Sequence, residues 1–526
     1  MIPIVAALWS FTSVVQNVVI AIPCVFWFTM ASIELCVMIV AFFRGRCRLR
    51  RRKEEGIWRI HGKSYDFSKF VDRHPGGPWA INLGRNRDCT GLFESYHLFA
   101  NNKRMEMLLA CYEVSNDGSS TSTADPETLT DASASDAPNS TGLVFNCDFH
   151  KAVKALVREH IPDKSSAKMG WPRVFSTLTL FGMQLIGMGY MLAGNNFAVV
   201  VTPLISWLVV SCCVHEGSHF SVSTKPWVNR VASALGTPFL WSSTGWYIQH
   251  TVQHHVYTID EDDVDLYHYW PATRASHIPD NGVPGPGYKG IPWFIVAIFG
   301  AMCITWALCF RVPVGLLTCY DYSRRNYEQM ENLDDFVAHA RLPLILELGI
   351  TVGWWSALCC TCGFWPGLVR VACSSALCSM CFNFFSQGSH ITEECQFPIE
   401  VGTSWAKRQA ETAMNWGTRS HFWSFVSGAT NMQSLHHICP SIAGCHFVEI
   451  WPKFESLCKE HNVDLKKVED PWTSFTMHLS WLRKLSLQDK RRSQTAPESM
   501  TAPFFGAFLS ALYVFQVTEE VKQRYG

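Results

Sequence analysis

The chain has 526 residues, 48% of them hydrophobic, and equal numbers of basic and acidic side chains, for a formal charge of zero. That balance gives no basic surface for a nucleic-acid partner. Apolar runs of about 20 residues exceed the needs of a soluble core and match the thickness of a bilayer, so an integral membrane protein is expected.

Residues 1–43 contain no Lys or Arg and one acid, Glu34, and they run into a basic block, Arg44–Lys53. A basic flank marks the cytosolic side of a crossing. Residues 1–53 are therefore expected to be an anchor, crossing once or as a hairpin bent near Pro23. The positive start and short apolar centre of a cleaved signal peptide are missing. Residues 54–114 mix polar and apolar side chains around His74-Pro75-Gly76-Gly77 and are expected to fold as a compact soluble unit. Residues 115–145 are the expected disordered linker, since from Ser115 to Thr141 Ser, Thr, Asp, Ala and Pro leave too few large apolar groups for a core.

Residues 146–485 carry apolar stretches at about 174–194, 197–214, 291–310, 344–365 and 367–386, with histidine-rich loops between them. The tail, 486–526, holds an apolar run, Pro503–Val517, that is short for a crossing. Many of the 21 cysteines, such as Cys212, Cys213, Cys309 and Cys360, lie in these stretches, where they suit small buried hydrophobes. Neither a disulfide framework nor a zinc arrangement is read from their spacing.

His215 and His219 form HEGSH at the end of the second stretch, and a spacing of four puts both imidazoles on one helix face, where they can share a metal. His250, His254 and His255 form HTVQHH, His436 and His437 end QSLHH, and His390 follows the last stretch in SQGSHITEE. All eight are expected just outside apolar segments. Ionisable groups at a membrane boundary are usually retained for function. Imidazole suits zinc, copper, iron or nickel, so ligand type leaves the metal open. Eight histidines are too many for one ion and would serve two. Two oxygen-activating irons also account for an electron-carrying domain in front.

With HEGSH, HTVQHH and QSLHH in order, and with Gln433 opening the third box where other desaturases have histidine, the chain resembles the front-end acyl desaturases that carry an N-terminal cytochrome b5 domain. The resemblance runs from Trp58 to Trp481, interrupted by the linker. His74 in HPGG and His97 at the end of DCTGLFESYH resemble the two axial haem ligands of cytochrome b5, an arrangement with no open position for oxygen. The resemblance implies a small α+β haem domain, an all-α transmembrane core of about four spanning helices plus an interfacial segment, and a cytosolic histidine-rich cap. It implies haem b, two non-haem iron ions held by the eight box and loop histidines, and Gln433 as a ligand through water or a hydrogen-bonding partner of one. Substrates would be O2 and a long unsaturated acyl chain, as acyl lipid or acyl-CoA. Electrons would come from NADH through cytochrome b5 reductase, at the endoplasmic reticulum membrane. A new cis double bond would be placed between an existing one and the carboxyl end, with Δ5 ahead of Δ6, Δ4 and sphingolipid Δ8. An acyl hydroxylase or a non-catalytic haem carrier are the rival readings. Glu216 replaces the usual Asp, Met432 Phe, Leu435 Glu, and Ile438-Cys439 a Leu-Phe pair, which leaves regiochemistry open.

Topology supplies a check. If Arg44–Lys53 is cytosolic, the stretches at 174–194 and 197–214 cross out and back, and the first box emerges in the cytosol. His390 reaches the same side only if one of the next three stretches does not span. The stretch at 291–310, flanked by Pro292, Arg311 and Pro313, is the expected exception, lying in the interface or re-entering.

Overall fold

The computed structural model describes residues 56–114, 142–145, 147–260, 263–267, 302, 304–318, 333–396 and 402–495. The expected anchor at 1–53, the Ser115–Thr141 stretch of the linker and the Pro503–Val517 run lie outside the described residues, as does most of the stretch at 291–310.

Residues 56–114 build a three-stranded sheet in which β1 (Trp58–Ile60) pairs antiparallel with β2 (Lys63–Tyr65) and parallel with β3 (Arg87–Asp88). Period-two alternation sends Trp58 and Ile60 inward, where they pack with Tyr65, Phe67 and Cys89 in a small core of their own. The helices Gly77–Asn82 and Thr90–Tyr96 stand beside this sheet and carry the two ends of the haem-ligand pattern. Gly77 follows the HPG turn at φ +80°, a conformation L side chains rarely adopt.

Among the described residues four helices are long and apolar enough to cross a membrane: Trp171–Leu192, Asn196–Ser218, Asp335–Cys362 and Phe364–Ser389. They form two tight hairpins, closed at Gly194 and Gly363, and the second and fourth helices pack against each other in the middle. Phe175, Ile186, Phe197, Leu346, Ile350 and Trp365 project outward, large apolar side chains that only lipid would cover. The short apolar helix Ile304–Leu317, too short to cross, is buried against the fourth span, with the Thr305 hydroxyl donating to the Ser375 carbonyl. The described cysteines are free thiols.

One detail departs from the sequence reading. The second span does not stop short of HEGSH: a π-helical turn, Val210–Val214, carries the helix on into His215–Ser218, so His215 sits in its last turn. A widened turn re-aims the side chains that follow without breaking the backbone ladder.

Beyond the membrane helices a cap is assembled around Phe149, Trp405, Leu435, Phe447, Trp451 and Phe454, all fully buried. Both hairpins return their C-terminal ends to this cap, one through the first box and the other through His390.

Candidate metal centre

The second box lies in a π-helical segment, Tyr247–His254, running into His255–Tyr257. Hydrogen bonds from i to i+5 widen the turn, which brings His250 and His255 to one side, their Nε2 atoms 3.2 Å apart. An α-helical turn, Ser243–Trp246, leads into this segment, and the carboxyl of Glu347 on the third span accepts hydrogen bonds from the hydroxyls of Ser242, Ser243 and Thr244 and from the Thr244 amide. A buried carboxyl so satisfied fixes where the box begins. In the first box, Glu216 accepts from the Ser221 hydroxyl and, at 2.8 Å, from the Gly444 amide beyond the third box. The residue that departs from the usual Asp thus ties two boxes together.

All eight expected histidines are buried and converge. Nitrogens of His215, His219, His250 and His436 lie within 4.8 Å of one another, and a second group brings His254, His390 and His437 equally close. His255 stands between the groups, its ring stacked on His437 at 4.1 Å and 4.3 Å from that of His219.

The donor chemistry fits metal. In the second group each Nδ1 is held by a cap residue: His254 by Asp263 at 3.0 Å, His390 by the Thr412 carbonyl at 3.0 Å, and His437 by Gln409 Oε1 at 2.8 Å. Such bonds fix the tautomer and leave Nε2 for an ion. In the first group the Nε2 atoms of His219 and His436 are buried with no protein partner, and those of His215 and His250 sit 3.1 Å apart. Burial drives His219, His250, His255, His390, His436 and His437 toward the neutral form that binds metal. At His254 burial opposes protonation, but the carboxylates of Asp263 and Asp265 outweigh it and lift the ring to about 9.

Gln433 lies within the second group, its Nε2 2.8 Å from His390 Nε2 and 3.1 Å from His437 Nε2, while Oε1 is buried without a partner. Turning the amide over would present the oxygen to an ion or its water between those rings.

Several contributors escaped sequence reasoning. Asp263 and Asp265 lie in the acidic run after the second box, and their D-x-D spacing behind HTVQHH was the available signal. Asp265 joins His250 and His254 in a third possible metal group and accepts from Gln249 Nε2 at 2.9 Å. Nothing local marked Gln409 or Glu347.

A cavity of roughly 570 Å³, its mouth included, opens beside the histidines. Trp207, Trp241, Trp246 and Phe382 wall it, and His215, His250, His254, His390 and Gln433 line the same space. Trp246 is sandwiched between Trp241 at 3.9 Å and His250 at 4.4 Å, which joins the apolar wall directly to the clustered histidine rings.

His74 and His97 face each other with ring centroids 6.0 Å apart. Backbone groups occupy both Nδ1 atoms, the Gly76 amide for His74 and the Phe93 carbonyl for His97. Burial lowers His74 to about 4 and lowers His97 as well, so both are neutral imidazoles, as axial haem ligands must be.

Residues 192–468 match the fatty acid desaturase family, and residues 48–116 match the cytochrome b5-like heme/steroid binding domain. The chain is 28% identical to an acyl-lipid omega-13 desaturase of Chlamydomonas reinhardtii, over 82% of this chain and 93% of the relative. It is 26% identical to an acyl-lipid (8-3)-desaturase of Mortierella alpina, over 82% and 94%, and 25% identical to Delta(5) fatty acid desaturase A of Dictyostelium discoideum, over 83% and 92%.

Proposed function

Since the chain belongs to the fatty acid desaturase family and carries a cytochrome b5-like domain ahead of the desaturase core, we propose that it is a front-end desaturase of long unsaturated acyl chains, with Δ5 favoured over Δ6, Δ4 and Δ8. The observation that carries this reading is the convergence of eight buried histidines, four of which (His215, His250, His254 and His390) line one aromatic-walled cavity. His215, His219, His250 and His436 would hold one iron and His254, His390 and His437 the other, with His255 between them and Gln433 acting through water. Iron there would supply O2-dependent hydrogen abstraction from an unactivated methylene, which no side-chain acid or base can perform. Trp207, Trp241, Trp246 and Phe382 would bind and orient the acyl chain and exclude water, so that one pair of methylenes lies against the histidines. His74 and His97 would hold haem b from its two sides, and the haem would supply single-electron transfer from NADH through cytochrome b5 reductase.

The two hairpins return both histidine groups to one side, and the basic block Arg44–Lys53 supports a cytosolic cap at the endoplasmic reticulum membrane. Two of the relatives carry (8-3) or Delta(5) in their names and one omega-13, so the double-bond position is the point to measure. Expression in yeast lacking polyunsaturated fats, fed one unsaturated acid at a time, is expected to yield an alkene on the carboxyl side of the existing bond. A new double bond on the methyl side would overturn the front-end assignment, and a hydroxylated product would make the enzyme a hydroxylase.

A further inference from the structure

The haem domain is seated directly on the cap. Trp79 lies edge-on between Tyr247 of the second-box segment and Phe336 of the third span, each at 5.5 Å, with the Arg230 guanidinium 3.8 Å above it. Arg87 donates to the Tyr257 hydroxyl at 3.2 Å. The Thr90–Tyr96 helix lies so near the second box that a Cβ at Gly91 would fall 2.8 Å from Val256 Cγ1. The end of this helix therefore reaches the histidines themselves, and the Tyr96 hydroxyl lies 2.8 Å from His219 Nδ1. The two rings run nearly parallel, and Phe220 closes on Tyr96 edge-on at 5.8 Å.

Where Asp263, Thr412 and Gln409 hold Nδ1 of their histidines from within the cap, His219 takes its partner from the haem domain. We propose that Tyr96 is a positioning residue of the metal centre: its oxygen accepts the Nδ1 proton of His219 and so keeps the unpartnered, buried Nε2 directed to the metal. The proposal rests on His219 being a ligand, as in the function proposed above. Tyr96 is bonded in sequence to His97, so one helix end holds a haem ligand and the outer partner of a non-haem ligand. Docking of the electron donor and retention of metal become a single event, because any displacement of the haem domain removes the acceptor from His219.

The test uses the full-length protein with haem bound and measures non-haem metal by chelator competition, with the cobalt-substituted visible spectrum reporting ligand geometry. Tyr96→Phe keeps the ring and deletes the acceptor. It is expected to retain the haem spectrum, weaken metal binding about 10- to 100-fold and shift the cobalt band. His97→Ala, which removes a haem ligand but keeps the Tyr96 hydroxyl, is expected to bind metal as tightly as the native chain. Metal affinity and cobalt spectrum unchanged in Tyr96→Phe would overturn the proposal, and so would an equal loss of metal in His97→Ala, since the effect would then belong to the haem and not to the hydroxyl. A native chain without non-haem metal, or His219→Ala with metal affinity unaltered, would instead overturn the ligand assignment on which the proposal stands.

Discussion

Asp263 shows how one side chain can tune the centre. It has no exposure, accepts from His254 Nδ1, and also takes the Ile259 amide at 2.8 Å, so its own position is fixed by backbone. Asp263→Asn keeps the shape but supplies a weaker acceptor, and the ring is then free to turn. Metal affinity is expected to fall about 10- to 100-fold by chelator competition, with the haem band unaltered. Gln433 makes a different prediction because an amide is a poor metal ligand but a good hydrogen-bonding group. Gln433→Ala is expected to lower turnover at least tenfold while most of the metal is retained, since His254, His390 and His437 remain. Loss of metal in proportion to activity would show that the amide coordinates directly.

At the scale of elements, two buried acids anchor segments that carry site residues. Glu347 on the third span satisfies four donors at the start of the second box, and each donor left bare in a buried site costs about 1–3 kcal/mol. Glu347→Leu is therefore expected to lower the melting temperature in detergent and to release non-haem metal at lower chelator concentration than the native chain. Glu94, on the helix that ends at Tyr96, accepts from His61 at 2.8 Å and from Lys154 of the cap at 2.6 Å. Burial would raise its carboxyl, but these two partners outweigh burial and hold it well below the ordinary value of 4.5. A carboxylate depressed in the folded state stabilises that state fully above its unfolded pKa, and the contribution fades as pH falls toward the folded value. Denaturation followed by haem release should thus show the full, pH-independent contribution of this pair between pH 6 and 8 and a progressive loss below about 4.5. Lys154→Met removes one partner of a buried pair, is expected to cost about 3 kcal/mol at pH 7, and should flatten that acid dependence.

For the molecule as a whole, the haem domain, the cap and the membrane hairpins act through shared surfaces. Trp79, Arg230 and Tyr247 bind the domain to the core, and Tyr96 reaches past them to His219. On the proposed function, a donor held there would work at an effective concentration that free cytochrome b5 does not match, since intramolecular contact can raise it to the millimolar range. His74→Ala and His97→Ala are each expected to reduce desaturation in cells to a small residue while the non-haem metal stays bound. Near-normal product in either variant, without added cytochrome b5, would make the haem domain dispensable.

The sequence by itself determined the four apolar helices long enough to span, and it singled out the pair His74 and His97 and the eight histidines that the fold brings together. Each is written locally: a span is a length of apolar residues, and the boxes set histidines side by side or four to five positions apart on a turn of helix. The tertiary structure decided which groups complete those ligands. Tyr96 and His219 are 123 positions apart, Glu347 and Ser242 are 105 apart, and Gln409 and His437 are 28 apart. The π-helical turns that re-aim His215 and His250 likewise arise in the packed molecule. No periodicity encodes such pairs, because they form only when separate elements pack and each buried polar atom must find its partner among whatever residues that packing brings within reach.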